Sequence, residues 1–346
     1  MKQLGNLPDR FLTEILGQPD AIRRAADGLF DQADRLAAVR RVTGAAGAVV
    51  FTGMGASYDA CHVPVTLLAA SGCHAVIVDA AELLHFRLPS LRPDTVLVCV
   101  SQSGESAEPV ALLEAVAARP SPLAVVTVTN GLDNPLARAD GLHLDLRTGE
   151  EEGPSTMTFA ASVLVLAALA GTDPGDGERA ATALERLLER PEERAADLRH
   201  WLGERTTLVT LGRGCARAAS EMAALVLKEA AHLPAEALEA GQFRHGPLEL
   251  AGPEMAALVV ATEPATYDLD VALAEDVAAA GGSVLLASAT GDAPDGVQGF
   301  ALGDVPPALA PVAGVVPAQL LAWRLAGERN IDPCAFAVGA KVTREE

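Results

Sequence analysis

The stretch with the clearest chemical content is "SQSGES", residues 101–106, which joins the apolar run "TVLVCV" to a helical pattern. It carries serine hydroxyls and a glycine but no basic residue. The first N–H groups of a helix are unpaired and lie at its positive end, so such a join can bind a phosphate without a lysine. The loops "GMGAS" (53–57) and "TGEEEGPSTMT" (148–158) also follow apolar runs. Together they predict a phosphate-monoester site.

Serine and glycine at such positions are also common as helix caps and turn residues. None of these loops is a Walker A motif, and "GMGAS" lacks the third glycine of a dinucleotide fingerprint. For any one loop the capping interpretation is favoured. Two hydroxyl-rich loops after neighbouring strands bring a ligand site to about equal weight with two unrelated caps, so both interpretations stay open.

A second group of reactive side chains lies in "LVLKEAAHLPAEALEAGQFRHGPLEL", residues 225–250, which the pattern predicts to be a helix-loop-helix. A charged, alanine-rich helix is often only a solvated amphipathic helix. His245, held before Gly-Pro, fits a fixed acid or base better than it fits that reading. The residue types alone leave both readings open.

Composition limits the class of protein. The chain has 346 residues, half of them apolar, and a formal charge of -20. This charge argues against nucleic acid and anionic membranes as partners. The scattered cysteines and the absence of paired histidine motifs predict no metal and no cofactor. The N-terminus lacks a signal-type hydrophobic region, and the run at 159–170 is too short to span a bilayer, so a soluble cytoplasmic protein is expected.

Strand-length apolar runs alternate with helical patterns in both halves of the chain, which predicts parallel sheets covered on both faces. Gly53-Met54-Gly55 and Gly212-Arg213-Gly214 hold equivalent places, which suggests duplication. We predict two doubly wound α/β domains. Their predicted bounds are a helical lead-in at 1–34, a first domain at 35–172, a connecting helix at 173–201, a second domain at 202–330 and a tail at 331–346.

Three segments together resemble the sugar isomerase (SIS) domain proteins, namely "SQSGES", "LKEAAHLPAEALEAGQFRHGPLEL" and the closing "GAKVTREE". The likeness is strongest to the isomerase half of glucosamine-6-phosphate synthase and to free-standing SIS-type glucosamine-6-phosphate deaminases and fructosamine-6-phosphate deglycases. It implies two tandem SIS domains, each a doubly wound parallel five-stranded sheet flanked by helices. It also implies a homodimer whose active site is shared between subunits.

The resemblance implies roles for individual residues. Glu229 matches the acid/base that moves a proton between C1 and C2, His245 the histidine that helps to open the sugar ring, and Lys341 the tail lysine that covers the site. The sugar-phosphate site matches Gly55, Ser57, Ser101, Gln102, Ser103 and Ser106. Without the resemblance, the first three would be interpreted as a surface helix residue, a structural cap and a tail residue.

Several positions depart from the synthase pattern. No glutaminase domain precedes the isomerase-like part, Val226 and Met157 replace lysines, and "GPST" lies in a segment one residue shorter. The resemblance therefore implies an amino-sugar-phosphate aldose–ketose isomerase that releases ammonia from a hexosamine 6-phosphate. Fructosamine-6-phosphate deglycation and amino transfer without an attached glutaminase remain alternatives. So does a non-catalytic sugar-phosphate sensor, which would need the phosphate loops but not Glu229, His245 and Lys341.

Overall fold

The computed structural model describes residues 10–345, so the first nine residues of the predicted lead-in lie outside it. By the density of its contacts the described chain divides into two compact units. The first unit comprises residues 20–150, 157–178 and 337–345. The second unit comprises residues 10–19, 151–156 and 179–336.

Ten strands and fifteen α-helices lie within the described residues. The strands are β1 (Ala48–Gly53), β2 (Ala75–Asp79), β3 (Thr95–Val100), β4 (Ala124–Thr129), β5 (Leu142–Asp145), β6 (Thr207–Gly212), β7 (Ala235–Glu239), β8 (Met255–Val260), β9 (Ser283–Ser288) and β10 (Gln298–Ala301). The helices are α1 (Arg10–Leu16), α2 (Gln18–Asp31), α3 (Ala33–Gly44), α4 (Ala56–Ala60), α5 (His62–Ala70), α6 (Ala80–Glu82), α7 (Ala107–Ala117), α8 (Met157–Leu169), α9 (Asp176–Leu187), α10 (Pro191–Leu202), α11 (Ala216–Ala231), α12 (Ala240–Phe243), α13 (Tyr267–Ala279), α14 (Ala310–Gly314) and α15 (Val316–Arg329).

The first unit contains a five-stranded parallel sheet in the order β2-β1-β3-β4-β5. Every residue of the central strand β3 is buried, as expected for a parallel strand covered on both faces. Leu97, Cys99 and Leu112 belong to the core that joins this sheet to α7. The strand order reverses between β1 and β3, so the loops after these two strands lie side by side at the carboxyl edge.

The second unit repeats this plan with the order β10-β9-β8-β6-β7, again with all pairs parallel. Read from the other edge, the order matches that of the first sheet strand for strand. The predicted α/β class with two five-stranded sheets is confirmed. Within this unit the stretch Pro307–Arg329 is 23 residues long and apolar enough to cross a membrane by length and composition. However, 83% of its most apolar 18 residues are buried inside the protein, as in a core helix.

One prediction for residues 225–250 was wrong, because a strand stands where a helix-loop-helix was expected. After α11 the chain turns through His232, whose φ is +49°, and then forms β7 beside β6. The segment "AEALE" favours a helix by its residue types. Pro234 disfavours helix at the residue before it, and pairing with β6 satisfies the backbone of the segment as a strand.

The single connecting helix predicted at 173–201 is instead two helices, α9 and α10. Pro191 lies in the first turn of α10. A proline ring fits the first turn of a helix but breaks a helix interior, because it has no N–H to donate. The charge pattern continues through the break, which is why it suggested one helix.

Candidate functional site

The loop after β1 brings its backbone close to the next strand. A Cβ atom at Gly53 would lie 2.8 Å from the carbonyl oxygen of Val100, so a larger residue would push the loop away from β3. Gly55 has a φ of +50°, which an L side chain rarely adopts. These two glycines let the chain turn sharply into α4, where Ser57 lies half-buried.

In the loop after β3, the serines accept hydrogen bonds from the amides of their own loop. The N–H of Gly104 donates to Ser101 Oγ at 3.1 Å, and the N–H of Glu105 donates to Ser103 Oγ at 3.1 Å. A hydroxyl that accepts in this way keeps its own proton to donate. Ser101 is almost fully buried, whereas Ser103 is partly exposed.

Asn134 supports this loop from the β4 side, a role that the sequence analysis missed. Gly104 has a φ of +65°, and a Cβ atom there would lie only 1.9 Å from Asn134 Oδ1. Asn134 is itself held by bonds from its Nδ2 to Thr129 Oγ1 and to the Gly131 carbonyl, both at 3.0 Å. The sequence signal was an Asn-Pro pair following a strand, which commonly marks a turn.

Ser106 is the N-cap of α7, with an extended φ of -61° and ψ of 138°. Among the contacts of residues 10–345, its side chain makes no capping bond to the helix. A capping serine normally satisfies one of the first helical amides. Ser106 therefore keeps both its donor and its acceptor capacity at the start of α7.

In the third predicted loop, residues 148–158, several donors are already bonded to carboxylates of the protein, so these donors cannot serve a phosphate. The amide of Glu152 donates to Glu14 at 2.6 Å, and that of Gly153 donates to the same carboxylate at 3.1 Å. Both the amide and the hydroxyl of Thr156 donate to Glu151, at 2.8 and 3.0 Å. Protein carboxylates already fill the place predicted for an anionic ligand.

The predicted acid/base residues Glu229 and His245 both lie in the second unit. Glu229 is in the last turns of α11 and is partly exposed, next to the exposed Lys228. His245 is an exposed residue in the turn after α12, and its amide donates to the Gln242 carbonyl at 2.9 Å. The roles of these two residues in proton transfer remain predictions.

Lys341 lies in the C-terminal tail, which belongs to the first unit. Two residues further on, the carbonyl of Thr343 accepts the amide of Ala107 at 3.0 Å. Arg344 donates to the Glu105 carboxylate at 2.5 Å. The tail therefore contacts both neighbours of Ser106, and the predicted covering lysine lies two residues from that contact.

In the second unit, the loop after β8 contains a carboxylate. The third residue after β3 is Ser103, and the third residue after β8 is Glu263. Glu263 Oε1 accepts the amide of Cys215, at the start of α11, at 2.7 Å. Burial, assisted by the neighbouring Glu263 carboxylate, raises the pKa of the Cys215 thiol to about 12, so this cysteine is not a nucleophile near neutrality.

An ion pair near this loop joins the residue after β6 to α13. Arg213 Nε donates to Asp270 Oδ1 at 2.7 Å, and Thr266 Oγ1 is 3.4 Å from Asp270 Oδ2. Burial raises the pKa of the Asp270 carboxyl, although Arg213 acts in the opposite direction. Across the residues that the structure covers, there is no cluster of three or more His, Cys, Asp or Glu side chains able to hold a metal ion.

The fold and these loops define a class of protein: a tandem doubly wound α/β protein that presents hydroxyl and amide donors at the carboxyl edge of one sheet. The model of the SIS domain matches residues 45–171 and 202–324. The chain belongs to the SIS domain family.

The chain is also similar to individual curated proteins and solved structures. The glutamine–fructose-6-phosphate aminotransferase (isomerizing) of Pyrococcus horikoshii is 28% identical over 96% of this chain, which spans 57% of that protein's length. The C-terminal domain of glucosamine-fructose-6-phosphate aminotransferase from Francisella tularensis superposes with a TM-score of 0.84 at 22% identity, over 95% of this chain and 98% of that one. A glucosamine-6-phosphate deaminase from Thermotoga maritima gives 0.71 at 19% identity, over 96% and 99%.

Proposed function

We propose that this chain is an enzyme that isomerises an amino-sugar phosphate, converting a hexosamine 6-phosphate to the ketose phosphate with loss of ammonia. The observation that supports it most directly is the hydroxyl set of the β3 loop. Ser101 and Ser103 accept from loop amides and keep their protons to donate, and Ser106 makes no capping bond within the described chain. A phosphate is the ligand that such donors suit at a helix start.

In the second unit a protein carboxylate takes the position of Ser103, and it contacts the start of α11, the helix after β6. There Glu263, in place of Ser103, accepts a helix-start amide at 2.7 Å. A serine at the same position supplies a donor in place of a negative charge. The first unit's loop therefore suits an anion that comes from outside the protein, with Ser57, Gln102 and Gly55 completing the predicted cradle.

In the proposed mechanism, His245 exchanges the proton that opens the sugar ring, because a histidine ring can both donate and accept a proton. Glu229 then takes the proton from C2 of the open-chain amino aldehyde and returns it to C1. A proton also passes from the amine nitrogen to O1, which leaves a hydroxyl at C1 and an imine at C2. Attack of water on that imine releases ammonia and leaves the ketose. The Lys341 ammonium stabilises the charge that develops on the enediolate-like oxygen.

The proposal is tested by measuring ammonia and fructose 6-phosphate formed from glucosamine 6-phosphate. Glu229→Gln removes the base but keeps the shape, and should lower kcat by about 10²–10⁴-fold, the usual contribution of a positioned acid–base group. Glu254→Gln, at an exposed position just before β8, is the matched control and should retain full activity. Equal turnover by wild type and Glu229→Gln would reject the assigned base.

Amino transfer is the second candidate, because the relative from Pyrococcus horikoshii carries that activity in its name. The chain spans 57% of that protein's length, and the test supplies the amino donor as free ammonium. Formation of glucosamine 6-phosphate from fructose 6-phosphate and ammonium distinguishes this activity from deglycation of a fructosamine 6-phosphate. Binding of these sugar phosphates with no turnover would indicate a sensor instead.

We further propose that the enzyme acts in the cytoplasm as a homodimer with a shared active site, and that it needs no metal or cofactor. The exposure of His245 in a single chain is compatible with a role that a second subunit completes. Mixing inactive Glu229→Gln and His245→Ala subunits tests sharing. Recovery of part of the activity in the mixture supports it, and an inactive mixture argues against it.

A further inference from the structure

The C-terminal tail brings a positive charge to a loop whose own sequence has none. Within residues 101–106 the charged side chain is the Glu105 carboxylate. Arg344, far away in sequence, donates to this carboxylate at 2.5 Å, and its neighbour Thr343 accepts the amide of Ala107 at 3.0 Å. The two contacts hold residues 343–344 of the tail on both sides of Ser106.

Glu105 is poorly placed for a site that binds a phosphate dianion. A carboxylate and a dianion repel each other, and the overall charge of -20 adds to this cost. The Arg344–Glu105 ion pair lies at the protein surface, since the Arg344 side chain is 71% exposed and that of Glu105 is 37% exposed. An exposed pair contributes little to stability. Its position beside the predicted phosphate loop gives it another use.

We propose that Arg344 is a positioning residue for phosphate affinity, which acts by neutralising Glu105 at the mouth of the serine loop. This inference rests on the proposed function, since it assumes that a sugar phosphate binds there. Lys341 is two residues from the neighbouring Thr343 contact, and two residues of extended chain span at most about 7 Å, so that contact limits the region that Lys341 can reach. Glu105 and Arg344 themselves line an open groove of about 550 Å³, together with Ala107 and Pro135.

Because the effect is electrostatic, it has a distinctive mutational pattern. Arg344→Gln leaves Glu105 uncompensated and should weaken fructose 6-phosphate binding about threefold to tenfold at low ionic strength. Glu105→Gln removes the charge that needs compensation and should keep the wild-type affinity or improve it. The double variant should behave like Glu105→Gln, because Arg344 acts through that carboxylate.

Titration calorimetry of fructose 6-phosphate at low and at high salt measures these affinities. The expected loss in Arg344→Gln shrinks at high salt, since screening shortens the range of the interaction. Arg92→Gln is the matched control, because Arg92 is an exposed residue with a weak acidic partner at 3.8 Å, before the start of β3. It should bind as the wild type does. Hydrogen exchange at the Ala107 amide should accelerate in Arg344→Gln.

The possible results separate the inference from the proposed function. If the wild type binds fructose 6-phosphate and Arg344→Gln binds equally well, the inference is wrong and the function stands. A double variant as weak as Arg344→Gln also overturns it, since Arg344 would then act independently of Glu105. If the wild type binds neither fructose 6-phosphate nor glucosamine 6-phosphate, the proposed function itself fails.

Discussion

The loops that follow β3 and β8 begin from matching strands of two sheets with the same strand order. They differ in charge at one matching position, where the first has a serine and the second a glutamate. After β3, Ser101 and Ser103 accept hydrogen bonds from loop amides and so keep their own protons to donate. After β8, Glu263 stands in the place of Ser103 and accepts a helix-start amide itself. One loop is suited to an external anion and the other carries its own. Under the proposed function, the two units share a strand order while only the first presents a loop for phosphate.

The largest effect is expected from removing hydroxyls of the first loop. Ser101→Ala combined with Ser106→Ala should weaken fructose 6-phosphate binding by at least about 100-fold, since each of the two hydrogen bonds to a charged group contributes about 1.5–3 kcal/mol. Calorimetry measures the loss. Thr262→Val in the second loop is the control and should leave the affinity unchanged. A comparable loss in that control would mean that both loops bind the ligand.

A smaller effect is expected when alanine replaces the glycines that shape the two loops. Gly104 and Gly214 have φ values of +65° and +55°, so alanine should cost roughly 1 kcal/mol of unfolding free energy at each. At Gly104 the new Cβ also meets Asn134 Oδ1 at 1.9 Å, whereas at Gly214 it meets the Glu263 side chain at 3.0 Å. Gly104→Ala should therefore lose about 1–3 kcal/mol more.

Urea unfolding of the two glycine variants compares them directly. Gly72→Ala, with a φ of +87° and open space around it, reports the backbone cost alone. If Gly104→Ala were no less stable than Gly72→Ala, Asn134 would not be a rigid support for the loop.

Removing the internal carboxylate should change stability without changing affinity. Glu263→Ala leaves the Cys215 amide without its acceptor and should cost about 1–2 kcal/mol of unfolding free energy. Fructose 6-phosphate affinity should stay at the wild-type value. Ser103→Ala is the matched variant, and it should show the opposite pattern of weaker binding with little change in stability. A shared pattern would remove the contrast between the loops.

The smallest expected effect is a pH dependence from Asp270. Burial raises the pKa of its carboxyl above the unfolded value of about 4. A raised carboxyl pKa means that the folded state favours the protonated form. The stabilising contribution of Asp270 to the unfolding free energy is therefore fully present below about pH 4. It is lost as the pH rises through the folded pKa.

The unfolding free energy of wild type minus that of Asp270→Asn should therefore decrease as the pH rises from about 4 toward neutrality. Thermal unfolding across that range measures the difference. A difference that increases with pH would show that the Arg213 pair outweighs burial, contrary to the direction assigned here.

Regular parts of the fold were predictable because their patterns are local. The run "TVLVCV" is buried throughout as β3, and the glycine at position 55 has the positive φ that a turn requires. β7 was missed because "AEALE" favours a helix until it pairs with β6. The break before Pro191 was also missed, although proline gave a local signal for it.

The sequence by itself determined the α/β class, the duplicated strand-loop-helix plan and the serine-rich character of the β3 loop, since periodicity and residue type are properties of neighbours in the chain. Only the tertiary structure decided which loop and helix-start amides are already bonded to carboxylates of the protein. Glu14 and Glu151 occupy the amides of the third loop, Glu263 occupies that of the second unit, and Arg344 reaches Glu105. Except for the Glu151 contact, which spans five residues, these contacts join residues far apart in sequence, so no local pattern encodes them.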